Sequence, residues 1–159
     1  LVVAPRHPER AASIIKQLDC RHIAVRSKGQ SPAEDTRIFL LDTVGELKNY
    51  FCDAKLVIMG GSFVTVGGHN ILEPASFNSA IITGPHMENF KEEMELMSAN
   101  EAIIQVASTA ELSTQIPQLL DDDKQRKRLQ DNTARLTHDA EDILARYTRL
   151  LLNEDKTGS

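Results

Sequence analysis

Six short apolar runs punctuate this chain: LVVA at 1–4, HIAV at 22–25, IFLL at 38–41, LVIM at 56–59, AIIT at 80–83 and AIIQV at 102–106. Each has the length of a buried strand and is bounded by glycine, proline or polar residues. Most of the gaps carry apolar residues at helical spacing, as with Ala11, Ile14, Ile15 and Leu18. Strands that alternate with helices build βαβ units, and their strands run parallel. The spacing predicts an α/β fold: a Rossmann-like, doubly wound parallel sheet of about six strands with helices on both faces.

Finer expectations follow from local chemistry. Thr43 is placed to cap a helix over 44–53, with Glu46 at the capping-box position, and Ser108 with Glu111 repeats that signature. A helix from Asn70 or Ile71 runs to about Phe77, and another over 87–98 turns Phe90, Met94 and Met97 inward. Pro117 is expected to kink or end the helix it sits in. Asp121, Asp122 and Asp123 open a charged helix to about Leu136, where Lys124, Arg126, Lys127 and Arg128 read as a solvated face. A last helix over 140–152 gathers Ile143, Leu144, Tyr147 and Leu151 on one side. The domain reading is a Rossmann-like body over 1–138, a C-terminal helix over 139–153 and a tail over 154–159.

Composition narrows the partners. The 159 residues carry a net charge of -5, which argues against free nucleic acid or an anionic lipid surface. No apolar run approaches the roughly 18 residues of a membrane span. Cys20 and Cys52 are too few for a disulfide framework or a zinc site and read as reduced, small apolar residues. The chain opens inside an apolar run without an initiator methionine, which predicts that it is part of something longer.

In an open parallel sheet, ligands bind outside the C-terminal ends of the strands. That rule selects Arg6 and His7, the loop after Leu41, the loop 60–70 and the loop 84–89. The loop 60–70 holds Gly60, Gly61, Gly67 and Gly68 beside Ser62, Thr65, His69 and Asn70. Such a turn, leading into a helix N-terminus, brings bare amides to an anion, with Ser62 and Thr65 as possible extra donors. It is neither GxGxxG nor a nucleoside triphosphatase P-loop. Asn70 and Glu73 admit two readings equally: a helix cap, or ligands, with Glu73 accepting from a vicinal diol. Arg6 offers a fork to phosphate or carboxylate between Pro5 and Pro8, and His86 and Asn89 stand past the fifth strand. His22 and His138 have no such context. No Ser–His–Asp set, metal-ligand spacing or pair of inward carboxylates is evident. The pattern suits holding an anionic, nucleotide-like donor.

The segments APRHPER, DTVGELKNYFCDAKLVIMGGSFVTVGGHNILEPA and ITGPHMENF together resemble the C-terminal domain of the 3-deoxy-D-manno-octulosonic acid (Kdo) transferases of lipopolysaccharide assembly. The resemblance covers nearly all of the chain. It implies one half of a GT-B glycosyltransferase, whose C-terminal domain binds CMP-Kdo. The N-terminal half would hold the lipid A precursor and the catalytic carboxylate, so no catalytic residue and no activity are expected of this chain alone. Carried over, Arg6 would meet the donor phosphate, and Gly60, Gly61, Ser62, Gly67 and Gly68 would approach the donor. Asn70 would contact it and Glu73 would bind the ribose; His7, His69, His86 and Asn89 complete the expected site. No metal or other cofactor is implied, and the last helix would cross toward the N-terminal half. The full protein is expected at the cytoplasmic face of the bacterial inner membrane. Two alternatives remain: a GT-B domain for a UDP-sugar transferase or epimerase, and a non-catalytic nucleotide-binding domain.

Overall fold

The computed structural model describes residues 1–154, with side chains described through residue 138. The chain divides into two compact units, Leu1–Tyr50 and Phe51–Ser159. The first contains β1 (Val2–Val3), α1 (Ala11–Gln17), β2 (Ile23–Val25) and β3 (Ile38–Leu40). Helix α2 (Lys48–Phe51) leads out of it. The second contains β4 (Val57–Met59), α3 (Leu72–Ala75), β5 (Ile81–Thr83), α4 (Lys91–Ala99), β6 (Ile104–Gln105), α5 (Thr109–Asp121) and α6 (Asp123–Glu154).

All six predicted strands form, and all of their pairings are parallel. They are hydrogen-bonded as two three-stranded sheets, in the orders β1-β3-β2 and β4-β5-β6, rather than as one six-stranded ladder. Local apolar pattern finds a strand; which strands pair is a long-range matter that pattern does not encode.

In the first unit, Ala24, Phe39 and Leu41 form the core, with Leu47 and Tyr50 packed on it. The Phe39 and Tyr50 rings lie 5.8 Å apart at 47°. The second unit has a core on each face of its sheet. Ile81 points into one, with Ile71, Ala75, Met87, Met94 and Met97. Its neighbour Ile82 points into the other, with Ala80, Val106, Leu119 and Leu129. Ile81 and Ile82 are both wholly buried, as a strand covered on both faces requires.

Several local expectations are corrected. The helix foreseen over 44–53 begins only at Lys48, because Gly45 takes φ +85 and the Glu46 carboxylate is engaged elsewhere. The helix foreseen from Asn70 to Phe77 shrinks to the single turn α3. Helix α5 passes through Pro117 and ends at Asp121. The break foreseen between 136 and 140 is absent, and α6 is continuous from Asp123 to Glu154. Thr137 lies within that helix, its hydroxyl turned back toward the carbonyls of Thr133 and Ala134 at 3.2 and 3.0 Å. Arg126 is not on a solvated face: it is 6% exposed and donates to the carbonyls of Leu119 and Leu120 while pairing with Asp123. Cys52 is exposed rather than packed as a small apolar residue. The Ser108 signature holds, with its hydroxyl accepting the Glu111 amide at 3.2 Å and Glu111 accepting the Ala107 amide at 2.7 Å. The side chains of Ile143, Leu144, Tyr147 and Leu151, and the tail beyond residue 154, lie outside the described residues.

Candidate functional site

Strand β4 ends at Met59, and the chain turns at once into a 3₁₀ turn, Gly60–Phe63. Ser62 is wholly buried in it. The Ser62 hydroxyl donates to the Met59 carbonyl at 2.5 Å and accepts the Gly84 amide at 2.6 Å. The Ser62 carbonyl accepts the His86 amide at 2.9 Å. One residue therefore staples the turn after β4 to the turn after β5. A serine hydroxyl has a single hydrogen, and Met59 takes it. The expectation that this hydroxyl donates to a ligand is corrected: it joins two loops.

The glycines have the same logic. A Cβ on Gly84 would run into the Ser62 carbonyl oxygen and the Phe63 ring. One on Gly61 would fall on the His69 imidazole, and one on Gly67 on the Asn89 carboxamide. Gly68, at φ +84, abuts the Met87 sulfur and the His86 carbonyl. The Asn89 amide donates to the Gly67 carbonyl at 3.2 Å, adding a further tie between the loops. Of the four glycines in the loop 60–70, only Gly60 faces open space. Most of the glycine in this motif is explained by loops lying on one another.

Asn70 closes an Asx turn at the entry to α3: its side-chain oxygen accepts the Leu72 amide at 2.9 Å, while the N-cap position, Ile71, has no side-chain capping bond. Glu73 does not complete a capping box, and its side chain is exposed on α3. With one turn of helix behind it, the loop 60–70 gains little from a macrodipole, contrary to the sequence expectation. His86, half-buried, places Nδ1 3.2 Å from the Glu88 carboxylate. The Glu88 backbone amide and His86 hold that carboxyl below the usual range. Asn89 is exposed at the rim.

Thus Gly60, Gly61, Ser62, Gly67, Gly68, His69, His86 and Asn89 share one loop pair at the C-terminal ends of β4 and β5, with Asn70 and Glu73 continuing into α3. Arg6 and His7 belong to the first unit, following β1. Arg6 is exposed, and His7 Nδ1 lies 3.5 Å from Glu9.

The first unit also holds a polar cluster that sequence reading missed. Arg26, after β2, donates from Nε and an Nη to both Glu46 oxygens, at 2.8 and 3.0 Å. Thr43 donates to Glu46 at 2.7 Å. Ser27 donates its amide and hydroxyl to Asp42, at 2.8 and 2.6 Å. The Arg26 fork and the Thr43 hydroxyl hold the Glu46 carboxyl down at about 2. Burial pushes the Asp42 carboxyl upward, but the Ser27 hydrogen bonds outweigh it and the net shift is downward. The available signal was topological: Arg26-Ser27 and Asp42–Glu46 follow adjacent parallel strands, so they meet at one rim.

Among the described residues, no group of three or more His, Cys, Asp or Glu could hold a metal ion. No helix among them is long and apolar enough to cross a membrane. A broad open hollow on α6, lined by Lys55, Lys124, Lys127 and Arg128, involves none of the residues expected to bind the donor.

No protein-family model matches the chain. It is 37% identical over 133 residues to the 3-deoxy-D-manno-octulosonic acid transferase of Haemophilus influenzae, covering 81% of this chain and 31% of that protein. It is 32% identical over 155 residues to the corresponding transferase of Rickettsia bellii, covering 95% of this chain and 37% of that protein. The chain thus spans about a third of the length of the curated relatives it matches. Among solved structures it is similar to the C-terminal CMP-Kdo binding domain of WaaA from Acinetobacter baumannii. That match has a TM-score of 0.80 at 27% identity, over 86% of this chain and 72% of that one.

Proposed function

This chain is a relative of the 3-deoxy-D-manno-octulosonic acid transferases, and we propose that it is the portion of such an enzyme that binds CMP-Kdo. The observation that carries the reading is the stapled loop pair at the ends of β4 and β5. Its two loops are tied to one another by hydrogen bonds through Ser62, and it carries the very segments, GGS, GGHN and GPHxxN, on which the family resemblance rests. A preformed cradle spares the ordering cost of binding.

In the proposed complex, backbone amides of the loop 60–70 face the donor phosphate. Arg6 and His7, which follow β1 in the first unit, are assigned to the donor on the family resemblance alone. Asn70 contacts the donor near the start of α3. Glu73 accepts from the ribose hydroxyls, a role its exposed carboxylate leaves open. His69, His86 and Asn89 complete the wall, and Ser62 contributes by shape. The reaction is glycosyl transfer. A hydroxyl oxygen of a lipid A precursor forms a bond to the Kdo anomeric carbon, and the bond from that carbon to the phosphate oxygen breaks. CMP departs with the electron pair, and the acceptor proton passes to a base in the N-terminal half. Charge on the departing phosphate falls on backbone amides of the loop 60–70, without a metal.

The domain assignment forms part of the proposal: a donor-binding body over 1–138, with the part of α6 over 139–153 reaching toward the N-terminal half. So does the site of action, the cytoplasmic face of a Gram-negative inner membrane. Alone, the chain binds CMP but transfers nothing. Calorimetric titration with CMP, with UMP and UDP as competitors and EDTA present, tests this. CMP heat that uridine nucleotides do not displace supports the reading. Stronger binding of UDP would transfer it to a UDP-sugar enzyme, and silence with CMP at millimolar protein would end it.

A further inference from the structure

We propose that Gln105 is a positioning residue for the donor site, fixing the peptide plane from which the His86–Asn89 wall departs; this deepens the CMP-Kdo reading and rests on it. Gln105 closes β6 and pairs in register with Thr83 of β5. Its side-chain nitrogen donates to the Gly84 carbonyl at 3.1 Å. That carbonyl is an unusual handle. The Gly84–Pro85 peptide has no N–H, because proline supplies none, so its oxygen is the one hydrogen-bonding group on that plane.

The plane is otherwise held only from its flanks. On one side the Gly84 amide donates to the Ser62 hydroxyl, and on the other the His86 amide donates to the Ser62 carbonyl. Gly84 itself is buried, with no room for a side chain. Ser62 thus grips the turn from the β4 side, and Gln105 grips it from the β6 side. Rotation of the Gly84–Pro85 plane would carry His86 and Asn89 with it, because Pro85 cannot absorb the change in φ. The carboxamide orientation follows from chemistry, since only its NH₂ can donate to a carbonyl.

The test is calorimetric titration of this chain with CMP, comparing the unaltered sequence with Gln105→Ala and Gln105→Glu, together with the melting temperature of each. Gln105 is exposed, so neither substitution removes core packing. Gln105→Ala is expected to weaken CMP binding by about three- to tenfold, the worth of one neutral hydrogen bond, with little change in melting temperature. Gln105→Glu sets a carboxylate against the Gly84 carbonyl near pH 7 and weakens binding further. Its deficit relative to the unaltered chain in the same buffer is expected to narrow by about pH 4, where the carboxyl protonates and can donate again. A purely structural role would not produce that recovery. Unchanged affinity in Gln105→Ala, a loss that only tracks melting, or a pH-independent deficit in Gln105→Glu overturns the positioning role and leaves the donor reading standing. If the unaltered chain ignores CMP, both fall together.

Discussion

At the scale of single residues, Ser62 has the most to lose. Replacing it by alanine leaves the buried Gly84 amide without its acceptor, and an unsatisfied buried donor costs about 1–3 kcal/mol. Ser62→Ala is therefore expected to lower the melting temperature and to weaken CMP binding together, read by calorimetry on the same sample. The glycines order themselves by what an added methyl would strike. At Gly84 it meets the Ser62 backbone and the Phe63 ring, neither of which can swing away. At Gly61 it meets side-chain atoms of His69 and no backbone. Gly84→Ala is expected to cost about 1–3 kcal/mol by overpacking, and Gly61→Ala less, in denaturant titrations of the two variants. An equal or reversed order would count against the close packing of the two loops.

At the scale of elements, the junction of α5 and α6 shows how a charged residue becomes structural. The last carbonyls of α5 have no partners within the helix, and the Arg126 guanidinium, from the first turn of α6, supplies donors to Leu119 and Leu120. Removing it strands those carbonyls beside the wholly buried Leu119. Arg126→Met is expected to destabilise the chain by about 1–3 kcal/mol, measured by urea unfolding, while leaving CMP affinity unchanged. Lysine should restore only part of the loss, because a single ammonium cannot span two carbonyls as a fork does. Pro117 makes the opposite case. It forgoes one ladder bond within a helix of 13 residues, so Pro117→Ala is expected to raise the melting temperature.

At the scale of the whole molecule, the acid response of the first unit follows from Glu46. Its carboxyl ordinarily titrates near 4.5, and Arg26 and Thr43 hold it at about 2 in the folded chain. The folded value is the lower one, so the unfolded chain takes up the proton first. The stabilisation is full above about 4.5 and is lost as pH falls toward about 2. The melting temperatures of the unaltered chain and Glu46→Gln should differ at neutral pH and converge at the acid end of that window. A gap that persists at the acid end would show that the pair matters by shape and not by charge.

Much of this was legible in the amino acids. All six strands, the parallel α/β class and the buried faces of Met94 and Met97 follow from apolar spacing, because burial on both sides of a strand demands such runs. The candidate loops follow from the rule about strand ends, and their relatedness to a transferase family from three short segments. What the residues alone left undecided are matters of contact between distant positions. The Asn70 carboxamide oxygen was drawn to the Leu72 amide, and the Ser62 hydroxyl was committed by Met59 and Gly84. Arg126 read as solvated because its partners lie across a helix junction, and Glu46 read as a cap because Arg26 is 20 residues away in the chain. Hydrogen bonds and packing are settled by proximity in space, and a one-dimensional pattern records which groups need partners without saying which ones they find.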